Sequence, residues 1–169
     1  LFLRQHHLQQ HDRYVEHLVD MRVRNTSPYP WGFASIEIDR DLAQQNKFGL
    51  RRATGIFPDG TPFDMPDTAP LPDPIDVPEG SERRYVYLTM PGSGANTREV
   101  DMAHGASGSR YVRKLETVID SSVSMHVEEE IEVAHPRIEF TVREVPKPGY
   151  NNLIISRIME VRDKTIILD

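Results

Sequence analysis

His7 and His11 stand four residues apart, the spacing that puts two imidazoles on one helical face toward a metal ion. A third ligand is needed, and neither Asp12 nor His17 is placed to complete the set. The plainer reading takes these histidines as polar helix-surface or interface residues, with no metal. His126-Val127-Glu128 has the form of the first half of a zinc deaminase signature, but the cysteine pair that finishes it cannot exist in a chain with no cysteine. Gly105 to Ser109 (GASGS) lacks the last glycine of a nucleophile elbow, and Gly92 to Thr97 (GSGANT) lacks the Gly-Lys-Ser/Thr ending of a phosphate loop. Both read as plain loops.

Carboxylates are plentiful, and a pair across a cleft is the machinery of glycoside hydrolysis. Glu128, Glu130, Glu132 and Glu139 lie on alternating segments, however, where acids usually form a solvated face. Trp31 invites a sugar-stacking role, but between Pro30 and Gly32 it is expected to anchor the helix-to-strand corner in the core. No catalytic residue, metal ligand or cofactor site emerges, so the chain is read as a non-enzyme.

Composition agrees with a binding role. The 169 residues are 38% hydrophobic and 27% charged, enough to bury one core in a single domain. A net charge of −6 gives no global reason to approach nucleic acid or an anionic membrane. No apolar run approaches the roughly 20 residues of a membrane span, so the chain is expected to be soluble without membrane insertion.

The elements that would position these groups follow from periodicity. Leu8, Val15, Leu18 and Arg22, flanked by Tyr14 and Met21, recur at helical spacing and predict a helix from about Arg4 to Arg24 within residues 1–26. Ser27-Pro28 and Tyr29-Pro30 should stop it, because a residue before proline is pushed out of helical conformation. Packing of this helix against the rest of the domain is the simplest expectation. The apolar tip Leu1, Phe2, Leu3, together with Leu8, forms the candidate partner-binding surface.

From Gly32 to the end, residues 32–169, the pattern is of strands. FASIEID and FGLRRATGIF alternate, Phe57-Pro58-Asp59-Gly60 is a turn returning through TPFDM, and RYVYLTM is apolar on both faces, as an inner strand would be. Seven prolines between Pro58 and Pro78, with no Lys or Arg between Ala53 and Glu82, predict an extended acidic surface segment. The stretch from Pro91 to Ser109 reads as a loop or irregular hairpin. In SVSMHVEEEIEVA, Val123, Met125, Val127, Ile131 and Val133 share one face opposite Glu128, Glu130 and Glu132, the signature of a half-buried strand. So many one-sided strands must bury their apolar faces on one another, which predicts an all-β antiparallel sandwich carrying one N-terminal helix.

The opening LFLRQHHLQQHDRYVEHL resembles that of the type VI secretion baseplate family TssK, also called VasE or ImpJ, which runs close to F-L-R-P-Q-H-F-Q-Q-Q-D-R-Y. Phe2, Leu3, Arg4, His7, Gln9, Gln10, Asp12, Arg13 and Tyr14 match, whereas Gln5, His6, Leu8 and His11 depart from it. SPYPWGF, FPDGTPFDMP, DVPEG and the closing RIMEVRDKTIILD follow in the family's order. The resemblance implies a sandwich like the shoulder of phage receptor-binding proteins. It further implies a homotrimeric, cytoplasmic structural adaptor that binds the wedge subunits TssF and TssG at the cytoplasmic face of the inner membrane. A C-terminal head, absent here together with the helical middle region, would contact the membrane complex. The alternative from a different class is a carbohydrate- or receptor-binding sandwich of phage-like origin, with Trp31 and the tyrosines of RYVYL exposed.

Overall fold

The computed structural model describes residues 4–92, 100–101, 108–119, 128–162 and 165–169. The elements in chain order are α1 (Gln5–Thr26), β1 (Gly32–Ile38), α2 (Arg40–Ala43), β2 (Lys47–Phe48), β3 (Leu50–Ile56), β4 (Pro62–Met65) and β5 (Ile75–Asp76), then β6 (Tyr85–Pro91), β7 (Val100–Asp101), β8 (Tyr111–Ile119), β9 (Glu128–Pro136), β10 (Glu139–Arg143), β11 (Tyr150–Arg162) and β12 (Thr165–Leu168). They form sheets in the orders β1-β3-β4, β10-β6-β11-β12, β2-β5 and β7-β8-β9. Every pairing is antiparallel except β7 with β8.

The expected mostly antiparallel fold with one long N-terminal helix is what the chain adopts, with one addition. Asp39 accepts hydrogen bonds from the Asp41 and Leu42 amides at 3.0 and 3.2 Å and so caps a single helical turn, α2. RYVYLTM is the inner strand it was expected to be: β6 lies between β10 and β11 with Val86, Leu88 and Met90 fully buried. The core is aromatic where the sheets meet. Phe48 and Phe140 pack edge to face at 5.2 Å, and Phe63 bridges Phe33 at 5.8 Å and Phe57 at 5.0 Å.

Three expectations are refined or corrected. The acidic, proline-rich segment lies at the surface but is tied down: Ala69, Pro72 and Val77 are buried, and β5 pairs with β2. Trp31 is 49% exposed and not a core anchor. Its corner lies between α1 and the sandwich, where the described residues leave about half of the side chain open. The half-burial expected of SVSMHVEEEIEVA holds at Val133 but not at Ile131, which is exposed within β9; Val123, Met125 and Val127 lie outside the described residues. No described helix is long and apolar enough to cross a membrane.

Candidate interaction surface

Helix α1 contains no glycine or proline, and it ends where the sequence said it would, with the Ser27 amide donating to the Val23 carbonyl at 3.0 Å before Pro28. At its start the Arg4 amide donates to His7 Nδ1 at 3.0 Å. His7 thus completes a helix cap, and no group able to hold a metal ion is found among the described residues.

At about 100° per residue, Met21, Tyr14, Leu18, Val15, Leu8, Val19 and Val23 sweep roughly half of the helix circumference; His11, Arg22 and Asp12 lie among them, as do His7, Asn25 and Thr26 near the helix ends. The opposite arc is wholly polar: Gln9, Gln10, Arg13, Glu16, His17, Asp20 and Arg24. No residue of α1 is buried, and Leu8, Tyr14 and Val19 are each more than half exposed.

The contact between helix and sandwich is made by the polar arc. Asp20 and Arg24 are ion-paired at 2.7 Å, and Arg24 Nη2 donates to the Pro58 carbonyl at 3.3 Å. Gly60, at φ 93°, lies so close beneath that a Cβ there would stand 2.8 Å from Asp20 Oδ1. The helix therefore seats its charged side on the β3–β4 turn and turns its apolar side away from its own domain. Half-exposed Trp31 and Tyr29, 81% exposed, follow directly after it.

The turn is firm enough to serve as a seat. Gly60 N–H donates to Phe57 O at 2.9 Å, and Phe57 N–H donates to Thr61 O at 2.8 Å. Asp59 points inward and pairs with Arg110 at 2.5 Å, accepts from the Thr61 amide at 3.1 Å and accepts from Asn151 Nδ2 at 2.7 Å. Arg110, 8% exposed, also donates to the Pro91 carbonyl at 3.0 Å and to the Thr61 hydroxyl. Burial by itself would raise the Asp59 pKa, but the Thr61 hydroxyl and amide and the Arg110 charge together hold it below the usual carboxylate value. This clip ties the turn below α1 to β6 and β11 of the second sheet.

Of the residues singled out in the sequence, Leu8 is on the exposed apolar arc, and Pro58, Asp59 and Gly60 form the seat. Leu1, Phe2 and Leu3 lie outside the described residues. Sequence reasoning missed Arg110, which follows a Gly/Ser-rich loop and carries no local signal of burial, and it missed the docking pair Asp20 and Arg24. The latter had one: an acid four residues before a base on a helix, on the face opposite the apolar stripe.

Comparison with known proteins gives consistent findings. A family model described as bacterial type VI secretion, EvfL, ImpJ, VasE matches residues 7–169. The chain is 33% identical over its whole length to the type VI secretion system baseplate component TssK1 of Pseudomonas aeruginosa, of which it spans 38%. A crystal structure of TssK superposes with a TM-score of 0.87 at 27% identity, covering all of this chain and 39% of that one. A chain of a TssK-TssF-TssG baseplate subcomplex solved by cryo-electron microscopy shares the fold, with a TM-score of 0.86 at 22% identity, covering all of this chain and 57% of that one.

Proposed function

The chain belongs to the bacterial type VI secretion family of ImpJ and VasE, and from that premise we propose that it is the wedge-binding part of a structural adaptor of the secretion baseplate. Its α1 presents the docking face to the wedge subunits TssF and TssG, the proteins that accompany TssK in the solved subcomplex. One observation carries this reading: α1 spends its polar side on its own domain and leaves the whole apolar side open. Helices in folded proteins draw most of their stability from packing an amphipathic face, and here a partner must supply that packing. An apolar arc this wide exceeds a two-helix seam and suits insertion into a groove. Arg22, in the middle of the arc, calls for a carboxylate in that groove.

The adaptor works by geometry and performs no chemistry. It acts as a homotrimer in the cytoplasm, at the inner-membrane face once assembled, and contacts the membrane complex through a head outside this chain. The test is retention of co-expressed TssF and TssG on the immobilised chain. The wild type holds the wedge, and Leu8→Asp/Val15→Asp/Val19→Asp loses it while its unfolding midpoint is unchanged; full retention by that variant would remove α1 from the interface. Glycan recognition is a second reading, favoured by half-exposed Trp31 but weakened by Tyr87 of RYVYL, which is buried where that reading needs it exposed. Trp31 fluorescence that stays constant across a glycan panel would dismiss it.

A further inference from the structure

The described contacts between α1 and its own domain are polar. Every residue of the helix except Asp20 is exposed, and Asp20 lies over the turn, where a Cβ on Gly60 would stand 4.0 Å from its own Cβ. Arg24 makes the bridge: Nε donates to both Asp20 oxygens, at 2.7 and 2.8 Å, and Nη2 reaches the Pro58 carbonyl. Arg13, on the same polar arc, is engaged as well. With Arg24 44% and Asp20 31% exposed, such a pair shifts a conformational equilibrium by about fivefold at most, and salt screens it. The seat is therefore reversible.

The helix end is complete without the sandwich. Asn25 Nδ2 donates to the Met21 carbonyl at 2.6 Å, and the Thr26 hydroxyl reaches the Arg22 and Val23 carbonyls at 3.1 and 3.0 Å. The carbonyls that a helix C-terminus leaves open are thus answered by its own last residues. Ser27 to Trp31 then link the helix to β1, with Pro28 and Pro30 keeping the link stiff. Gly32 follows at φ 128°, a conformation that glycine adopts readily, and a Cβ there would meet no described atom within 4 Å. A self-sufficient helix is thus joined to a firm seat by a short stiff link that can turn at Gly32.

We propose that α1 is a latched arm, with Arg24 and Asp20 as positioning residues that hold it on the β3–β4 turn in the pose that opens its apolar arc. Without the latch the helix stays formed and pivots at Gly32. A partner that needs the seated pose binds in proportion to the seated fraction, so the latch sets how much of the population is ready to dock. The inference rests on the reading of α1 as the docking face and gives the polar arc its own task, which is to orient that face.

Because the chain has no cysteine, spin labels on Gln10→Cys and Val145→Cys, both exposed, read the pose of the arm. Labelled chain is diluted in unlabelled chain so that each pair reports one copy. At low salt the distance distribution should be narrow. Arg24→Gln, or about 0.5 M salt, should broaden it while the helical circular dichroism is unchanged. A width indifferent to both overturns the latch. Binding of the TssF and TssG wedge to immobilised chain at low salt should weaken about two- to fivefold in Arg24→Gln. Asp20→Cys with Gly60→Cys, added to Arg24→Gln, supplies a covalent latch, since 4.0 Å between those Cβ positions lies within the span of a disulfide. Oxidised, this chain should bind the wedge as the wild type does, and reduced, as Arg24→Gln does. Equal binding in the two states, with the bond verified by mass, overturns the positioning role; should the bond not form, undiminished binding by Arg24→Gln does so. Failure of the α1 reading shows separately, as wedge retention by Leu8→Asp/Val15→Asp/Val19→Asp, and the distance measurement still decides the latch.

Discussion

Helix α1 and strand β6 both carry an apolar face, and the two faces have opposite fates. In β6, Val86, Leu88 and Met90 are fully buried between sheets. In α1, seven large apolar side chains remain exposed, and a charged pair on a turn anchors the helix to the sandwich. The lesson is that amphipathic periodicity says which face wants to be covered and is silent on who covers it. A strand is obliged to satisfy its backbone within a sheet, and its apolar face goes along into the core. A helix satisfies its own backbone and can carry its apolar face outward to another protein.

That difference sets the order of effects on stability. Phe48→Ala, which empties the edge-to-face contact with Phe140, should cost about 3 to 5 kcal/mol in denaturant unfolding. Asp59→Asn leaves the Arg110 charge buried without its partner and should cost roughly 3 kcal/mol in the same measurement. Acid titration sharpens this. A carboxylate held low in the folded state contributes stability above the unfolded pKa of about 4, and loses it as pH falls through the lower folded value. The wild-type unfolding midpoint should therefore drop more steeply than that of Asp59→Asn as the pH falls below about 4.

Gly60→Ala comes next. Its φ of 93° disfavours any Cβ, and the added methyl would press on Asp20 Oδ1, at the movable end of a side chain. A loss of about 1 kcal/mol is expected, with weaker seating of α1 seen as faster hydrogen exchange in the helix. The smallest effect on stability belongs to Leu8→Asp, Val15→Asp and Val19→Asp, each within about 0.5 kcal/mol, because those side chains already face water. A loss of several kcal/mol there would break the contrast between the two regions.

The sequence made the strands legible wherever alternation and turn residues agreed, as at Phe57 to Gly60 and at Tyr85 to Pro91. It made the limits of α1 legible through its period and the prolines that stop it. It misplaced Trp31 because a large aromatic at a corner is normally enclosed, and here about half of the side chain is left open. It could not show that Arg110 is buried, since that depends on Asp59 arriving from a turn 51 positions earlier in the chain (110 minus 59) to answer its charge. Half of the candidate surface, the apolar arc with Leu8, was readable from spacing. The seat that turns it outward was not.

The most direct test of the α1 reading is hydrogen exchange along the chain, free and bound to co-expressed TssF and TssG. Protection that rises on wedge binding throughout α1, with the core strands unchanged, is the predicted result. Unchanged exchange in α1, with new protection confined to other surfaces of the sandwich, would contradict the claim that this helix is the docking face.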